Sequence, residues 1–254
     1  MNGSSAESVA SVSMRQSSMR LLTPLFERMF NAADAANQAN ILRLCRAAIP
    51  EGGSLLDLGC HDGAWTLELA RAARTARAEG VEVVAEAAAA ARERGIAVYE
   101  LDLNRPIALE AQFDLVHANQ VIEHVNDVDL FVAEVYRLLK PGGVAVVSTE
   151  NGSSWHNVFA AVMGWQIFSL TNISGKVAGL GNPLAIQRGA AAFSPTWRHK
   201  TIMNYRGLKE LFELHGFRDV MVSGAGYYPL SPVFGRIDPR HSVYITVNAT
   251  KPLH

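Results

Sequence analysis

The stretch Ser54-Leu-Leu-Asp57-Leu-Gly59-Cys60-His61-Asp62-Gly63 decides the fold. Its first five residues form a short, nearly continuous apolar run, the pattern of a strand buried on both faces of a parallel sheet. Glycines at 59 and 63 then let the backbone turn tightly and approach a ligand closely. A helix is expected next, over residues 64–77. Strand, glycine turn and helix in that order carry more weight than the glycines alone.

The same rhythm continues downstream. Residues 81–84 read as a second strand, and residues 86–94 as an alanine-rich helix closed by Gly95. Residues 96–101 and 113–118 read as the third and fourth strands. Asp127 can cap a helix whose inner face is Val128, Phe131, Val132, Val135, Leu138 and Leu139. Lys140-Pro-Gly-Gly143 breaks that helix ahead of a fifth strand at 144–149. Such alternation marks an α/β domain with a parallel sheet and helices on both faces. Ligands in these sheets bind at the carboxyl ends of the strands.

Outside this core the pattern changes. Residues 1–18 are serine-rich and read as a disordered lead-in. Residues 14–49 are helical in pattern: Leu21, Leu22, Leu25, Phe26, Met29 and Phe30 form one stripe, interrupted by Pro24, and Ile41, Leu42, Leu44 and Cys45 form part of another. Pro50-Glu51-Gly52-Gly53 ends this region. Residues 151–201 are too long for a structureless loop and read as a partly helical insertion over the site. Residues 204–215 return to a helix with Leu208, Leu211 and Phe212 inward and Gly216 as its stop. Residues 217–223 and 242–249 read as the last two strands.

The 254 residues suit one domain, with 49% hydrophobic and 19% charged residues. A formal net charge of -1 and the lack of a basic run disfavour a nucleic-acid partner. Cys45 and Cys60 form no CxxC pair, so zinc is not expected, and they read as reduced thiols of a cytoplasmic protein. The most apolar late stretch, 158–170, is shorter than the roughly 20 residues a membrane span needs. It reads as a buried or cap helix, with membrane-surface contact as the secondary reading.

The glycine turn lacks the G-x-G-x-x-G spacing that places a pyrophosphate on a helix N-terminus, which disfavours a nucleotide-dependent oxidoreductase. The run from Leu55 to Gly63 instead resembles motif I of class I S-adenosylmethionine-dependent methyltransferases of the type 11, UbiE-like group, with His61 where the central glycine stands in the family. Phe113-Asp-Leu-Val followed by Val121-Ile-Glu123-His124 resembles motif IV, and Leu138-Leu-Lys140-Pro-Gly-Gly143 is common in the same family. The resemblance covers residues 55–150 well and the last helix and two strands more loosely. It implies a Rossmann-like, doubly wound, seven-stranded α/β fold with a mostly parallel sheet and an antiparallel last strand. The single domain would run over 19–254: N-terminal helices at 19–50, a cofactor-binding core at 51–150, a cap insertion at 151–201 and a closing helix with two strands at 202–254.

S-adenosylmethionine is the implied cofactor. The resemblance assigns the turn residues Asp57, Gly59, Cys60, His61 and Gly63 to its binding, along with Asn119. Glu82 would accept from the ribose hydroxyls, with Glu86 as the competing choice. Asp102 would meet the adenine amino group, and Leu103 would supply a backbone contact. Since a sulfonium methyl is already electrophilic, alignment does much of the work, and a base is needed only when the nucleophile carries a proton.

His124, beside Glu123, is the candidate catalytic base; its alternative reading is a histidine anchoring the next helix. Some quinone-precursor O-methyltransferases hold a divalent metal with Glu-x-x-Glu-His here. Gln120 replaces the first carboxylate, so no metal is expected. Gln120, Glu150, Asn151, Trp155 and His156 are candidates for the acceptor side, although Trp155 could equally be cap core and His156 a helix cap. His199, His215 and His241 read as surface or packing residues. The function implied is methyl transfer to an oxygen or nitrogen of a small-molecule acceptor. The alternative is a catalytically silent S-adenosylmethionine-binding regulatory or assembly protein, kept open by His61 and Gln120.

Overall fold

The computed structural model describes the backbone of residues 5–48 and 52–254, and side-chain surroundings from residue 27 onward. The core is a seven-stranded sheet in the order β3-β2-β1-β4-β5-β7-β6. Its strands are β1 (Ser54–Leu58), β2 (Arg77–Val81), β3 (Ala97–Tyr99), β4 (Phe113–Asn119), β5 (Leu139–Glu150), β6 (Arg218–Ala225) and β7 (Tyr244–Thr250). β7 runs antiparallel to both neighbours, and the pairs from β3 through β5 are parallel. This is the doubly wound, Rossmann-like architecture with an antiparallel last strand.

The helices are α1 (Ser5–Ala48), α2 (Ala64–Ala73), α3 (Ala85–Glu93), α4 (Val128–Leu138), α5 (Trp155–Val162), α6 (Tyr205–Leu214) and α7 (Phe234–Ile237). Alternate strand residues feed two cores. Leu56, Leu58, Val116, Ala118, Ala145 and Val147 face α4 and α6 together with Phe131, Val135 and Phe212. Leu55, Leu115 and Val146 point the other way, onto Ile41, Leu44 and Cys45 of α1 and Leu69 and Ala70 of α2. Period-two alternation with both faces buried makes these strands apolar throughout. Asp127 caps α4 by accepting from Leu130 N at 3.0 Å.

Several boundaries differ from the sequence reading. β2 spans Arg77–Val81 rather than 81–84, so Glu82 lies just beyond the strand end. Its polar residues hid it: Arg77 and Glu79 pair with each other at 3.0 Å, and Tyr99 Oη donates to Glu79 at 2.7 Å. α2 stops at Ala73, where Arg74 turns left-handed. β5 begins at Leu139, with its pairing to β4 irregular across Lys140-Pro-Gly-Gly143. α1 spans Ser5–Ala48 and so passes through Pro24. No strong helix breaker stands between Ser5 and Pro24. The stripe at 21–26 falls outside the described side chains.

The insertion is only partly helical. α5 ends at Val162 and Gly164 turns left-handed, so 158–170 is not one helix. Phe159, Val162 and Met163 are exposed rather than buried. Among the described residues no helix is long and apolar enough to cross a membrane. Two 3-10 turns follow, Phe168–Leu170 and Pro195–Trp197. The chain then returns across the carboxyl edge of the sheet, where Asn151 bridges to Met203.

Candidate functional site

Four adjacent strand ends, those of β1, β2, β3 and β4, share one cleft of about 530 Å³. The glycine turn after β1 forms its floor. Gly59 N and Cys60 N both donate to Val81 O, at 2.8 and 3.1 Å, which ties the turn to β2. Gly59 adopts φ 77°, and a side chain there would meet Val121 Cγ2 at 2.7 Å. His61, with φ 47°, holds the left-handed geometry that a glycine would take more easily.

Glu82, 8% exposed, organises the walls of this cleft. One carboxylate oxygen accepts from His61 N at 2.9 Å and the other from Val84 N at 2.8 Å. Each oxygen retains a lone pair for a further donor. Asp102, past β3, accepts from Asn104 N at 3.0 Å and Nδ2 at 2.8 Å. Those bonds hold its carboxyl below the usual range. Leu101, Leu103, Val83 and Val84 supply apolar lining, and Asn119 closes the row at the end of β4.

Gln120 follows β4 in the left-handed region, with φ 56°, where its N–H donates to Ser148 O at 2.9 Å. A non-glycine residue in that conformation is uncommon and needs its surroundings to hold it. Its side chain lines the cleft, and its Nε2 is buried without a partner.

Beside it, His124 lines the cleft while Glu123 is fully buried. Burial, then the neighbouring His199, push His124 down to about 4. Its Nδ1 donates to Arg198 O at 3.2 Å, which leaves Nε2 with a free lone pair. Burial pushes the Glu123 carboxyl up to about 8, so it is neutral at pH 7. Thr149 donates to its Oε2 at 2.9 Å, and its Oε1 has no partner.

His199 packs edge-on to His124, ring centroids 4.7 Å apart, and its Nδ1 donates to Ser169 O at 2.6 Å. The sequence suggests a packing or surface residue; the structure brings it to the site. Ligand-capable atoms of Glu123, His124 and His199 lie within 4.8 Å of one another, a spacing that could ligate a cation. The first carboxylate of the family's metal-holding arrangement is absent, with the Gln120 amide in its place.

The structure separates other expected site residues from the cleft. Asp57 is buried, with one oxygen at 2.7 Å from His117 Nδ1 and the other accepting from Thr66 Oγ1 at 2.6 Å. It braces β1 against β4 and α2. The Cys60 side chain sits behind the turn against Ala91 and Ile96, and burial pushes its thiol up to about 12. A methyl at Gly80 would come within 2.4 Å of its sulfur. Gly63 serves as the N-cap of α2.

The expected acceptor cluster does not assemble as a unit. Asn151 is buried and its amide is occupied by backbone: Nδ2 donates to Arg240 O and Ser242 O, both at 2.9 Å. Trp155 is an exposed residue, neither cap core nor cleft lining. It stacks on His241 at 4.3 Å and donates to Tyr227 Oη at 2.6 Å. His156 is half-buried, packed edge-on against Phe168 and Tyr228, and loss of solvent around the ring pushes it down to about 4. Glu150 stands off the cleft, 4.0 Å from His199 Nδ1.

Residues that sequence reasoning missed come mostly from one strap, residues 195–200. Pro195, Thr196, Trp197 and Lys200 line the cleft. The strap is pinned where Lys200 N donates to Glu123 O at 2.8 Å.

Residues 27–222 match the family described as methyltransferase domain. The ubiquinone biosynthesis O-methyltransferase of Chelativorans sp. (strain BNC1) is 36% identical over 114 residues, covering 42% of this chain and 44% of that protein. The mitochondrial ubiquinone biosynthesis O-methyltransferase of Rattus norvegicus is 28% identical over 190 residues, 71% of this chain and 48% of that protein. A malonyl-[acyl-carrier protein] O-methyltransferase of Erwinia billingiae is 31% identical over 152 residues, 55% of this chain and 57% of that one. The chain thus spans about half the length of the curated relatives it matches. Among solved structures, an S-adenosylmethionine-dependent methyltransferase from Thermotoga maritima superposes with a TM-score of 0.55 at 20% identity, covering 92% of this chain and 97% of that one. One from Mesorhizobium loti gives 0.52 at 17%, covering 82% and 95%. At these identities the superpositions speak to the fold.

Proposed function

The chain belongs to the methyltransferase-domain family of class I, S-adenosylmethionine-dependent enzymes, and we propose that it transfers a methyl group to an oxygen or nitrogen of a small-molecule acceptor. S-adenosylmethionine is its cofactor. The observation that carries the reading is the row formed by Gly59, Glu82, Asp102 and Asn119 along four adjacent strand ends, with Gln120 and His124 beside it.

The residues fit that cofactor. Glu82 and Asp102 offer spare carboxylate lone pairs to hydroxyl and amino donors, and Gln120 holds a buried amide donor with no protein partner. The cleft volume falls within the roughly 300–1,000 Å³ usual for small-molecule sites. His61 does not close the cleft: its backbone keeps a glycine-like turn and its N–H is bonded to Glu82.

When bound, the sulfonium supplies a methyl group ready for in-line displacement. The protein's own residues do the rest. Glu82, Asp102 and the turn fix one partner in place, which is where most of the rate comes from in such a reaction. The strap at 195–200 walls one side of the cleft. His124, whose Nδ1 is held by Arg198 O so that Nε2 is open, is placed to take the proton that a hydroxyl or neutral amine nucleophile releases as the methyl is transferred. Neutral Glu123 beside it places no competing charge there.

Calorimetric titration with S-adenosylmethionine, S-adenosylhomocysteine and NADH tests the cofactor assignment. Binding of the two sulfur compounds and not NADH is expected, followed by transfer of labelled methyl to members of a phenol, catechol and amine panel. Binding without turnover on any acceptor would favour a silent cofactor-binding protein.

A further inference from the structure

His61 and Trp197 meet across the mouth of the cleft. His61 stands where the family places a glycine, and a glycine would adopt its φ of 47° with less strain. Its backbone N–H serves Glu82, but the imidazole serves nothing within the turn beyond a 3.8 Å approach to Asp62. The ring's aromatic partner is Trp197, edge-on, with centroids 6.0 Å apart and planes at 89°.

Trp197 has an unusual combination of properties. Its backbone is pinned: its N–H donates to Ser194 O at 3.0 Å and its carbonyl accepts from Asn172 Nδ2 at 3.1 Å. The next residues are held by His124 and Glu123. Yet its indole lines the cleft and remains 52% exposed. A wide, flat, half-exposed ring on a rigid turn is a surface with capacity to spare for a ligand. Covering it gains both area burial and face-to-face or edge contacts with a heterocycle.

We propose that Trp197 is a cofactor-contacting residue, forming the outer wall of the cleft opposite the glycine turn, and that His61 is the residue that positions it. The inference rests on the assignment of this cleft to S-adenosylmethionine. It accounts for the histidine in the turn, because the side chain that replaces glycine reaches over the ligand space and fixes the indole. The turn after β1 and the cap insertion then act together on one ligand, although more than 130 residues of sequence separate them.

The test uses S-adenosylhomocysteine as the probe, followed by calorimetry and by tryptophan emission on the full chain. Binding to the wild-type protein should change the emission, and Trp197→Phe should lose most of that change while still binding, with the three other tryptophans as background. Trp197→Ala should weaken binding about 10-fold, a tenfold change being the scale of one aromatic contact plus its burial. His61→Gly should weaken it by a smaller factor, with faster release, while leaving the melting temperature unchanged or higher because the left-handed strain is relieved. A purely structural role for His61 would move the melting temperature down instead. Wild-type affinity in Trp197→Ala, or an unchanged emission response in Trp197→Phe, would overturn the proposal alone. Failure of the wild-type protein to bind the probe would overturn the cofactor assignment with it.

Discussion

Asn37, on the packed face of α1, donates from Nδ2 to Oδ1 of Asn119 at 3.3 Å, across 82 positions of sequence. The same amide's oxygen accepts from Ser148 Oγ at 3.0 Å, and Thr246 Oγ1 lies 3.4 Å from it. One fully buried side chain from the N-terminal helix therefore gathers the ends of β4, β5 and β7. Asn119 in turn lines the cleft. Asn37→Ala takes the donor from Asn119 Oδ1 and the acceptor from Ser148 Oγ, leaving Ser148 and Thr246 bonded to each other at 3.1 Å, a loss of about 1–3 kcal/mol for each buried group left short of a bond. Denaturant titration should show that loss, and affinity for S-adenosylhomocysteine should fall as well. A double-mutant cycle with Asn119→Ala should be non-additive for both readouts. Additive effects would mean that α1 supports the fold without reaching the site.

Glu82 and Glu86 lie four residues apart, and the structure assigns them different surroundings. Glu82 is buried with both oxygens bonded to backbone N–H groups of the two loops that wall the cleft. Glu86 is exposed in the first turn of α3. Glu82→Ala should weaken S-adenosylhomocysteine binding about 100-fold or more, because hydrogen bonds to a charged acceptor contribute roughly 1.5–3 kcal/mol each and two are lost before any made to the ligand. Glu86→Ala should change binding less than about 2-fold, since only a helix-dipole interaction is removed. Equal losses in calorimetry would overturn the assignment.

Much of this is legible in the sequence, for a physical reason. The strand from Ser54, the glycine turn and the capping Asp127 are short-range features, set by residues within one turn or one strand of each other. Their chemistry can be read locally. β2 is displaced in a sequence reading because Arg77 and Glu79 satisfy each other through contacts that no window of hydrophobicity contains. The strap is harder still. Trp197, His199 and Lys200 carry no motif, and their place at the cleft depends on a hydrogen bond from Lys200 N to Glu123 O. Asn151 and Trp155 err the other way. Their position after a strand end suggests the acceptor side, but Asn151 is engaged by backbone carbonyls and Trp155 by His241 and Tyr227.

His156 gives the fold a pH dependence of known sign. Loss of solvent around the ring, packed against Phe168 and Tyr228, pushes it down to about 4 from the usual 6.5. Between those two values the unfolded chain carries a proton there that the folded chain does not. Stability therefore falls as pH drops through that window, by at most about 1.4 kcal/mol per pH unit for this one group. His156→Phe fills the same space without a titrating nitrogen, and it also removes the unpartnered Nδ1. Urea unfolding at pH 7.5, 6 and 5 should show a shallower loss in the variant than in the wild-type protein. Parallel curves would place the acid sensitivity elsewhere.

His124 should separate binding from turnover. It lines the cleft with Nε2 unengaged, while its Nδ1 and its ring are held by Arg198 O and His199. The group is therefore positioned, with its lone pair open, before the acceptor arrives, and it takes a proton as that proton is released in the transfer itself. His124→Gln keeps an amide near the same carbonyl but cannot accept a full proton. On an acceptor whose nucleophile is a phenol or a primary amine, kcat should drop about 100-fold or more, the usual contribution of a placed base. Affinity for S-adenosylhomocysteine should change less than about 3-fold, since the carboxylates proposed to hold the cofactor, Glu82 and Asp102, are untouched. An acceptor whose nucleophile carries no proton, such as a tertiary amine, should be methylated by the variant at close to the wild-type rate. Equal losses on protonated and unprotonated nucleophiles would show that His124 aligns the acceptor and takes no proton from it.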